Sequence, residues 1–315
     1  MTRRALVTGG AGFMGAHLAA LLCRDGWETI VVDDCSAGSL GNFRYLGIKP
    51  EVRAADLSDP RALDGWGGPI PDVIFHLAGS ANVARSVEQP MADFEATLRS
   101  TLHVLEFARR RGVPKLVFPS TASVYKPGVP MPVGEDAPIH ASSPYGAAKV
   151  AAENYCFAYA TSYGLDVTVL RFFSVYGPLM RRFAIHDWVR KLQRDPSRLE
   201  ILGNGEQVRE YLYVDDAARA FLLAAERGGA GEAYNVGTGV PVRIRDLARK
   251  VIEAMGLEGV RVEPTMKSWP GDVQAWYADT AKLARLGFAP KVGFDEGLRN
   301  TVLYLKEPPD PAPFP

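Results

Sequence analysis

A chain of 315 residues, 47% hydrophobic and 23% charged, has the makeup of a globular protein with one large domain or two closely joined ones. Its 36 Lys plus Arg balance its 36 Asp plus Glu, so no net field draws it to nucleic acid or an anionic membrane, and any anionic ligand must be held by local groups. Cys23, Cys35 and Cys156 have no CxxC spacing and the five histidines form no HExxH pair, which argues against a disulfide framework and a metal site and for a reducing compartment.

No apolar run approaches the ~18 residues a membrane span needs. Met1 leads within a few residues into the strand-like ALVTGG, leaving no room for a signal peptide, so the expected location is the cytoplasm. Candidate strands follow at Ala5–Thr8, Thr29–Asp33, Val52–Ala54, Val73–Leu77, Leu116–Pro119 and Val167–Phe172. Between them lie the helical patterns Gly15–Arg24, Phe94–Arg111 and Tyr145–Tyr163. Strand, helix, strand in repetition predicts a doubly wound α/β fold, a parallel sheet covered on both faces, with ligands bound beyond the carboxyl ends of the strands.

From about Tyr176 the pattern loosens. A helix is expected over Ile185–Asp195, strands at LEIL and EYLYV, then a helix over Asp215–Arg227. A strand at Ala233–Val236, a helix at Ile244–Met255 and helical runs around Lys282 and Leu298 complete the chain. The expected division is a dinucleotide-binding domain over 1–175, a smaller α/β substrate domain over 176–308 with segments that could return to the large sheet, and a disordered PPDPAPFP tail over 309–315.

The first strand runs into Gly9-Gly-Ala-Gly12-Phe13-Met14-Gly15, where Gly10, Gly12 and Gly15 satisfy GxGxxG and Gly9, Gly12 and Gly15 satisfy GxxGxxG. Glycines there permit a tight turn and close approach of backbone to a pyrophosphate on the following helix N-terminus. GxGxxG alone is a weak signal, but here a strand precedes it, a helix follows, and Asp33 ends the second strand. A carboxylate at that place accepts hydrogen bonds from the adenosine ribose and repels a 2′-phosphate, and no Arg or Lys stands within Asp34–Gly38 to welcome one. The expected cofactor is NAD rather than NADP. Asp34 could be solvated or cap the following turn.

Ser143-Pro-Tyr145-Gly-Ala-Ala-Lys149 sets Tyr145 and Lys149 four apart at a helix start, hence on one face. A tyrosine with its reference pKa of ~10 is a poor base at neutral pH, and a nearby ammonium is expected to lower that value. Upstream, Pro119-Ser-Thr121-Ala-Ser-Val-Tyr ends a strand at the same rim, and Thr121 could hydrogen-bond a sugar hydroxyl, with Ser120 and Ser123 as competitors for that role.

With these motifs on view, the chain resembles the extended short-chain dehydrogenases that act on nucleotide sugars, and among them the UDP-galactose 4-epimerases. Further matching stretches are VVDDCSAG, AADLSD, HLAGSANVARSVEQP, RFFSVYGP, LGNGEQVREYLYVDD and WPGDVQAWYADTAKL. The resemblance implies Tyr145 as base, Lys149 as its partner and Thr121 as the Ser/Thr of a catalytic triad. It implies cofactor contacts from Gly9, Gly12, Phe13, Met14, Gly15, Asp33, Asp56, Leu57, Leu77 and Ala78, besides Tyr145 and Lys149. It implies nucleotide-sugar contacts from Ser174, Arg209, Asp272 and Trp276; Arg209 could instead make a surface salt bridge, and Trp276 could point into the core. The chain departs from the family pattern at Ser174 (usually Asn), Thr97 (usually Asn), Trp269 (often Arg) and Lys126 (usually Gly).

Within that family, dehydratases and decarboxylases keep an acid after the strand that ends in Ser-Thr, whereas Ser120–Tyr125 has none. Elimination then lacks its general acid/base, and epimerisation at C4 of UDP-glucose or UDP-galactose is the expected reaction. A UDP-glucuronate 4-epimerase, another nucleotide-sugar epimerase or reductase, and a non-catalytic NAD-sensing protein are the alternatives. A homodimer is expected through Phe94–Arg111 and Tyr145–Tyr163, although a buried intramolecular face would explain their apolar spacing equally well.

Overall fold

In a computed structural model, residues 2–267 and 273–307 are described. Six strands alternate with helices: β1 (Arg4–Thr8), α1 (Phe13–Arg24), β2 (Glu28–Asp33), α2 (Gly41–Tyr45), β3 (Glu51–Ala54), β4 (Val73–His76), α3 (Val83–Glu88), α4 (Pro90–Phe94), α5 (Ser100–Arg111), β5 (Lys115–Thr121), α6 (Pro144–Tyr163) and β6 (Asp166–Phe172). A seventh strand, Glu232–Val236, pairs with β6, so the chain returns to the large sheet after leaving it. The spatial order is Glu232–Val236, β6, β5, β4, β1, β2, β3, every pairing parallel. The order reverses between β1 and β4, which opens a crevice beyond their carboxyl ends.

These strands read as continuous apolar runs because both faces are covered. Ala5, Val7, Val31 and Phe75 join one core with α1 and α8 (Val214–Arg227), while Leu6, Ile30, Val32 and Ile74 join the other with α5 and α6. On α1, Leu18 and Leu22 are fully buried, each burial stabilising by about 1.5–3 kcal/mol.

The expected helix Phe94–Arg111 is interrupted. α4 passes into a π-turn, Glu95–Arg99, before α5 resumes and ends at Gly112 with φ +68°. Asp93, Thr97 and Thr101, four residues apart, are all buried along this run.

The rest of the chain forms a smaller layer beyond the carboxyl edge of the sheet. α7 (Phe183–Arg194), Ile244–Ala254 and Phe294–Lys306 pack through Ile185, Trp188, Leu247, Val251, Leu298 and Val302. Its strands are short: Arg198–Ile201 pairs with Arg261–Pro264, and Val208–Arg209 lies between Val242–Arg243 and Ala275–Trp276. The strand expected at EYLYV is only Leu212–Tyr213, because Glu210 turns into the interior. There its carboxylate accepts the N–H groups of Ala278 (2.7 Å), Gly239 (2.8 Å) and Thr238 (2.5 Å). Trp269, Asp272 and the 309–315 tail lie outside the described residues. Among the described residues no helix is long and apolar enough to cross a membrane, and no group of three or more His, Cys, Asp or Glu could hold a metal ion.

Candidate functional site

The cofactor cradle is made of backbone. Gly9 has φ +65°, and a Cβ added to it would come within 2.5 Å of the Ala78 nitrogen. One added at Gly15 would lie 2.2 Å from the Gly9 carbonyl oxygen, so α1 can start this close to β1 only with glycine there. Gly12 caps α1 without any side-chain hydrogen bond, and no acid stands in the first turn. The helix N-terminus therefore offers its N–H groups and positive dipole end to a pyrophosphate. Phe13 and Met14 line the adjoining cleft. Leu77 donates its N–H to the Thr8 carbonyl and Ala78 donates its N–H to the Thr8 hydroxyl, closing the far side.

Asp33 is buried at the end of β2, where its carboxylate accepts the N–H groups of Ala11 (2.9 Å) and Cys35 (2.7 Å). Burial pushes its pKa up, and those two backbone donors pull it back. Asp56 accepts the Ser58 N–H in a local turn, and Leu57 is buried, its carbonyl accepting from the His103 ring at 2.8 Å. All these residues follow the carboxyl ends of β1, β2, β3 and β4, and the donor set fits a dinucleotide.

The second cluster stands at the ends of β5 and α6. Ser143 caps α6, its hydroxyl accepting the Gly146 N–H at 3.2 Å, and Pro144 takes the first helical position. An added Cβ at Gly146 would be 2.7 Å from the Ser123 carbonyl, so this helix start is pressed against the turn that follows Thr121. The Tyr145 N–H is held by the Ser86 hydroxyl at 3.1 Å. Tyr145 and Lys149 are both buried. The Lys149 ammonium donates to the Pro119 carbonyl at 2.8 Å and lies 4.6 Å from the Phe118 ring centroid. Burial pulls its pKa from 10.5 down to about 8.

The expected lowering of the Tyr145 pKa is not supplied by the protein alone. Burial pushes the phenol up; the groups that oppose this are the Thr121 hydroxyl, hydrogen-bonded to it, and the Arg182 guanidinium. Arg182 was not singled out from the sequence. It precedes α7 in a segment where Leu179 and Phe183 both hold φ +72°, a conformation costing a non-glycine residue about 1–2 kcal/mol. Three more residues escaped the sequence reading. His76 is fully buried between the Thr8 and Thr101 hydroxyls, and burial drops its pKa to about 3, so it is neutral. Glu210 ties together the backbones of Thr238, Gly239 and Ala278, and Asp93 is buried on α4. An acid at a core position of a helical pattern was the available signal for Asp93.

A cavity of about 770 Å³ joins these parts. Thr121 and Tyr145 line it from the large sheet; Arg182, Arg209 and Trp276 line it from the smaller layer, with Ser174 between. Trp276 lines the cavity and its ring lies 6.2 Å from that of Phe173. Arg209 sits on the neighbouring strand, paired in register with Trp276, and donates to the Val208 carbonyl at 2.7 Å. Thr97 has its hydroxyl accepting the Ser80 N–H at 3.1 Å.

A parallel sheet with a glycine cradle at its switch point and a Tyr-x-x-x-Lys helix beside it defines an extended short-chain dehydrogenase. Residues 5–237 match the NAD dependent epimerase/dehydratase family, and the chain belongs to that family. It is 34% identical over 316 residues to a UDP-glucose 4-epimerase of Mycolicibacterium smegmatis, covering 96% of this chain and 98% of that one. It is 30% identical over 317 residues to a UDP-glucuronate 4-epimerase of Thermodesulfobacterium geofontis, covering 96% of each. The structure of the UDP-glucose 4-epimerase of Thermotoga maritima with UDP-glucose superimposes with a TM-score of 0.87 at 35% identity, covering 96% of this chain and 99% of that one. The cofactor is NAD, and the enzyme class is that of nucleotide-sugar epimerases and dehydratases.

Proposed function

We propose that this chain interconverts UDP-glucose and UDP-galactose by epimerisation at C4, with Tyr145 as the base, Lys149 its cationic partner and Thr121 a hydrogen-bonding hydroxyl. The observation that carries the reading is the chemistry of the wall beside Tyr145. Ser120, Thr121, Ala122 and Ser123 line the cavity there and bring hydroxyls but no carboxylate; among the described residues the acids lining the cavity are Asp187 and Glu200, on α7 and on Arg198–Ile201. Tyr145 takes the proton of the C4 hydroxyl, and Thr121 and Arg182 stabilise the phenolate that takes it. NAD, held at the Gly9–Gly15 cradle, would supply reversible hydride acceptance at C4. The ketone at C4 turns over in the cavity, Tyr145 returns the proton, and among the described residues this wall brings no carboxylate to eliminate water from the intermediate. Arg209, Ser174, Trp276 and Asp272 are assigned to the nucleotide sugar, 1–175 to the cofactor, and 176–308, apart from the segments that return to the large sheet, to the sugar.

Arg182 favours a second substrate, UDP-glucuronate. Its guanidinium lines the cavity close enough to act on the Tyr145 phenol, and a uronate carries its carboxylate at the ring carbon next to C4. The test is one assay: purified protein with NAD is given UDP-glucose, UDP-galactose, UDP-glucuronate and UDP-galacturonate, and epimers and NADH are measured. Interconversion of the neutral pair without net NADH supports the first reading, and turnover confined to the uronates replaces it with the second. We further propose a homodimer through Phe94–Arg111 and α6, where Phe94, Tyr155 and Tyr163 are exposed.

A further inference from the structure

Asp93 is 4% exposed, and neither of its carboxylate oxygens has a hydrogen-bond partner among the described residues. A buried carboxylate left in that condition is costly, which calls for a compensating charge. α4, which carries it, packs against α6, which carries Tyr145 and Lys149. Lys149 has the complementary deficit: it is 5% exposed, carries three N–H donors, and has the Pro119 carbonyl as its one acceptor among the described residues.

Other candidates for its counter-ion are already engaged or uncharged. Glu153, one turn further along α6, gives both oxygens to the Arg171 guanidinium at 2.8–3.2 Å. Burial keeps the Cys156 thiol protonated and His76 neutral. On the Tyr145 side the facing groups are Thr121 and Arg182, neither of them an acid.

We propose that Asp93 is the counter-ion of Lys149, a positioning residue that acts on the reaction through that ammonium and not by touching the sugar. The electrostatics agree in direction: Asp93 opposes the effect of burial on Lys149 more strongly than Cys156 or Glu153 does. Its negative charge also raises the Tyr145 pKa. Asp93 thus keeps Lys149 charged at neutral pH while working against ionisation of Tyr145. The π-turn that follows α4 fits a functional role, since such turns are frequent at functional sites.

The inference rests on the assignment of Tyr145 and Lys149, and two measurements separate its failure from failure of that assignment. In Asp93→Asn, both limbs of the pH profile of kcat/KM should move to lower pH, the alkaline limb by about one unit or more. Asp93→Glu should restore the alkaline limb. A residue that only packs would lower activity evenly across pH, and an unmoved alkaline limb in folded Asp93→Asn overturns the proposal. The second measurement is thermal stability, which needs no activity. Asp93→Asn should lower Tm in the native background but raise it in Lys149→Met, where it removes a lone buried charge. A change of the same sign in both backgrounds overturns the pairing. Full turnover by Lys149→Met would sink the catalytic assignment instead, and the stability cycle would still decide whether the two charges are paired.

Discussion

The two walls of the cleft are built by different means. The cofactor wall is backbone: glycines pressed against backbone atoms at 2.2–2.5 Å from where a Cβ would stand, and an uncapped helix start. The opposite wall, proposed to hold the sugar, is held by side chains. Three of its strands, Val208–Arg209, Val242–Arg243 and Ala275–Trp276, are two residues long, and the backbone beside them hangs on Glu210, which gathers the N–H groups of Thr238, Gly239 and Ala278. A backbone wall admits one ligand shape, because no substitution can reshape it without moving the sheet. A side-chain wall can be retuned residue by residue, which suits a family whose members share a cofactor and differ in sugar.

The largest expected effect falls where the walls meet. Tyr145→Phe should lower kcat by roughly 10²–10⁴-fold, the worth of a general base, with NAD affinity and Tm nearly unchanged. Steady-state rates and cofactor titration check this, and retention of more than about a tenth of native activity would remove Tyr145 from the role of base.

Next comes a crossed pair of substitutions. Gly15→Ala forces a methyl against the Gly9 carbonyl and should weaken NAD binding by about 5- to 150-fold, corresponding to about 1–3 kcal/mol of overpacking. Gly134→Ala, where nothing lies within 4 Å, is the control. Glu210→Ala should do the converse, raising KM for the nucleotide sugar and lowering stability by about 2–4 kcal/mol as buried N–H groups lose their acceptor. If Glu210→Ala weakens NAD and spares KM, the distinction between the walls is wrong.

A pH profile sharpens the comparison at Lys149. Burial lowers its pKa from 10.5 to about 8, so the ammonium is lost as pH rises through that value. Turnover should therefore decline above about pH 8, and a plateau persisting to pH 10 would remove Lys149 from the reacting charge set.

The smallest effect concerns Trp276. On the proposed assignment of Trp276 to the sugar, an N-acetyl group at C2 would have to displace the indole, so Trp276→Ser should improve kcat/KM for UDP-N-acetylhexosamines by about 5- to 20-fold and change the UDP-hexoses little. Equal kcat/KM for acetylated and plain sugars in the native enzyme would dispose of this gate.

Much of the sheet could be read in the chain because it depends on local rules. Ala5–Thr8, Thr29–Asp33 and Val73–Leu77 are apolar runs that only a strand covered on both faces can bury, and the glycine spacing announces a turn that side chains would block. EYLYV misled because its period resembles a strand while Glu210 competes for backbone donors that lie 28 and 68 residues further on. No local rule encodes such a partner.

The same division holds at the reacting end. Ser143, Pro144, Tyr145 and Lys149 declare a capped helix with two functional groups on one face, since capping and i,i+4 geometry are properties of neighbouring residues. That burial raises the Tyr145 pKa, that Arg182 stands among the groups offsetting this, and that Asp93 lies buried on a helix packed against α6 are facts of tertiary packing. Sequence by itself determined the fold class and the cofactor cradle, because both follow from backbone sterics and periodic burial. Only the tertiary structure decided the charge environment of Tyr145, because desolvation and Coulomb interaction depend on which segments meet in space, whatever their separation along the chain.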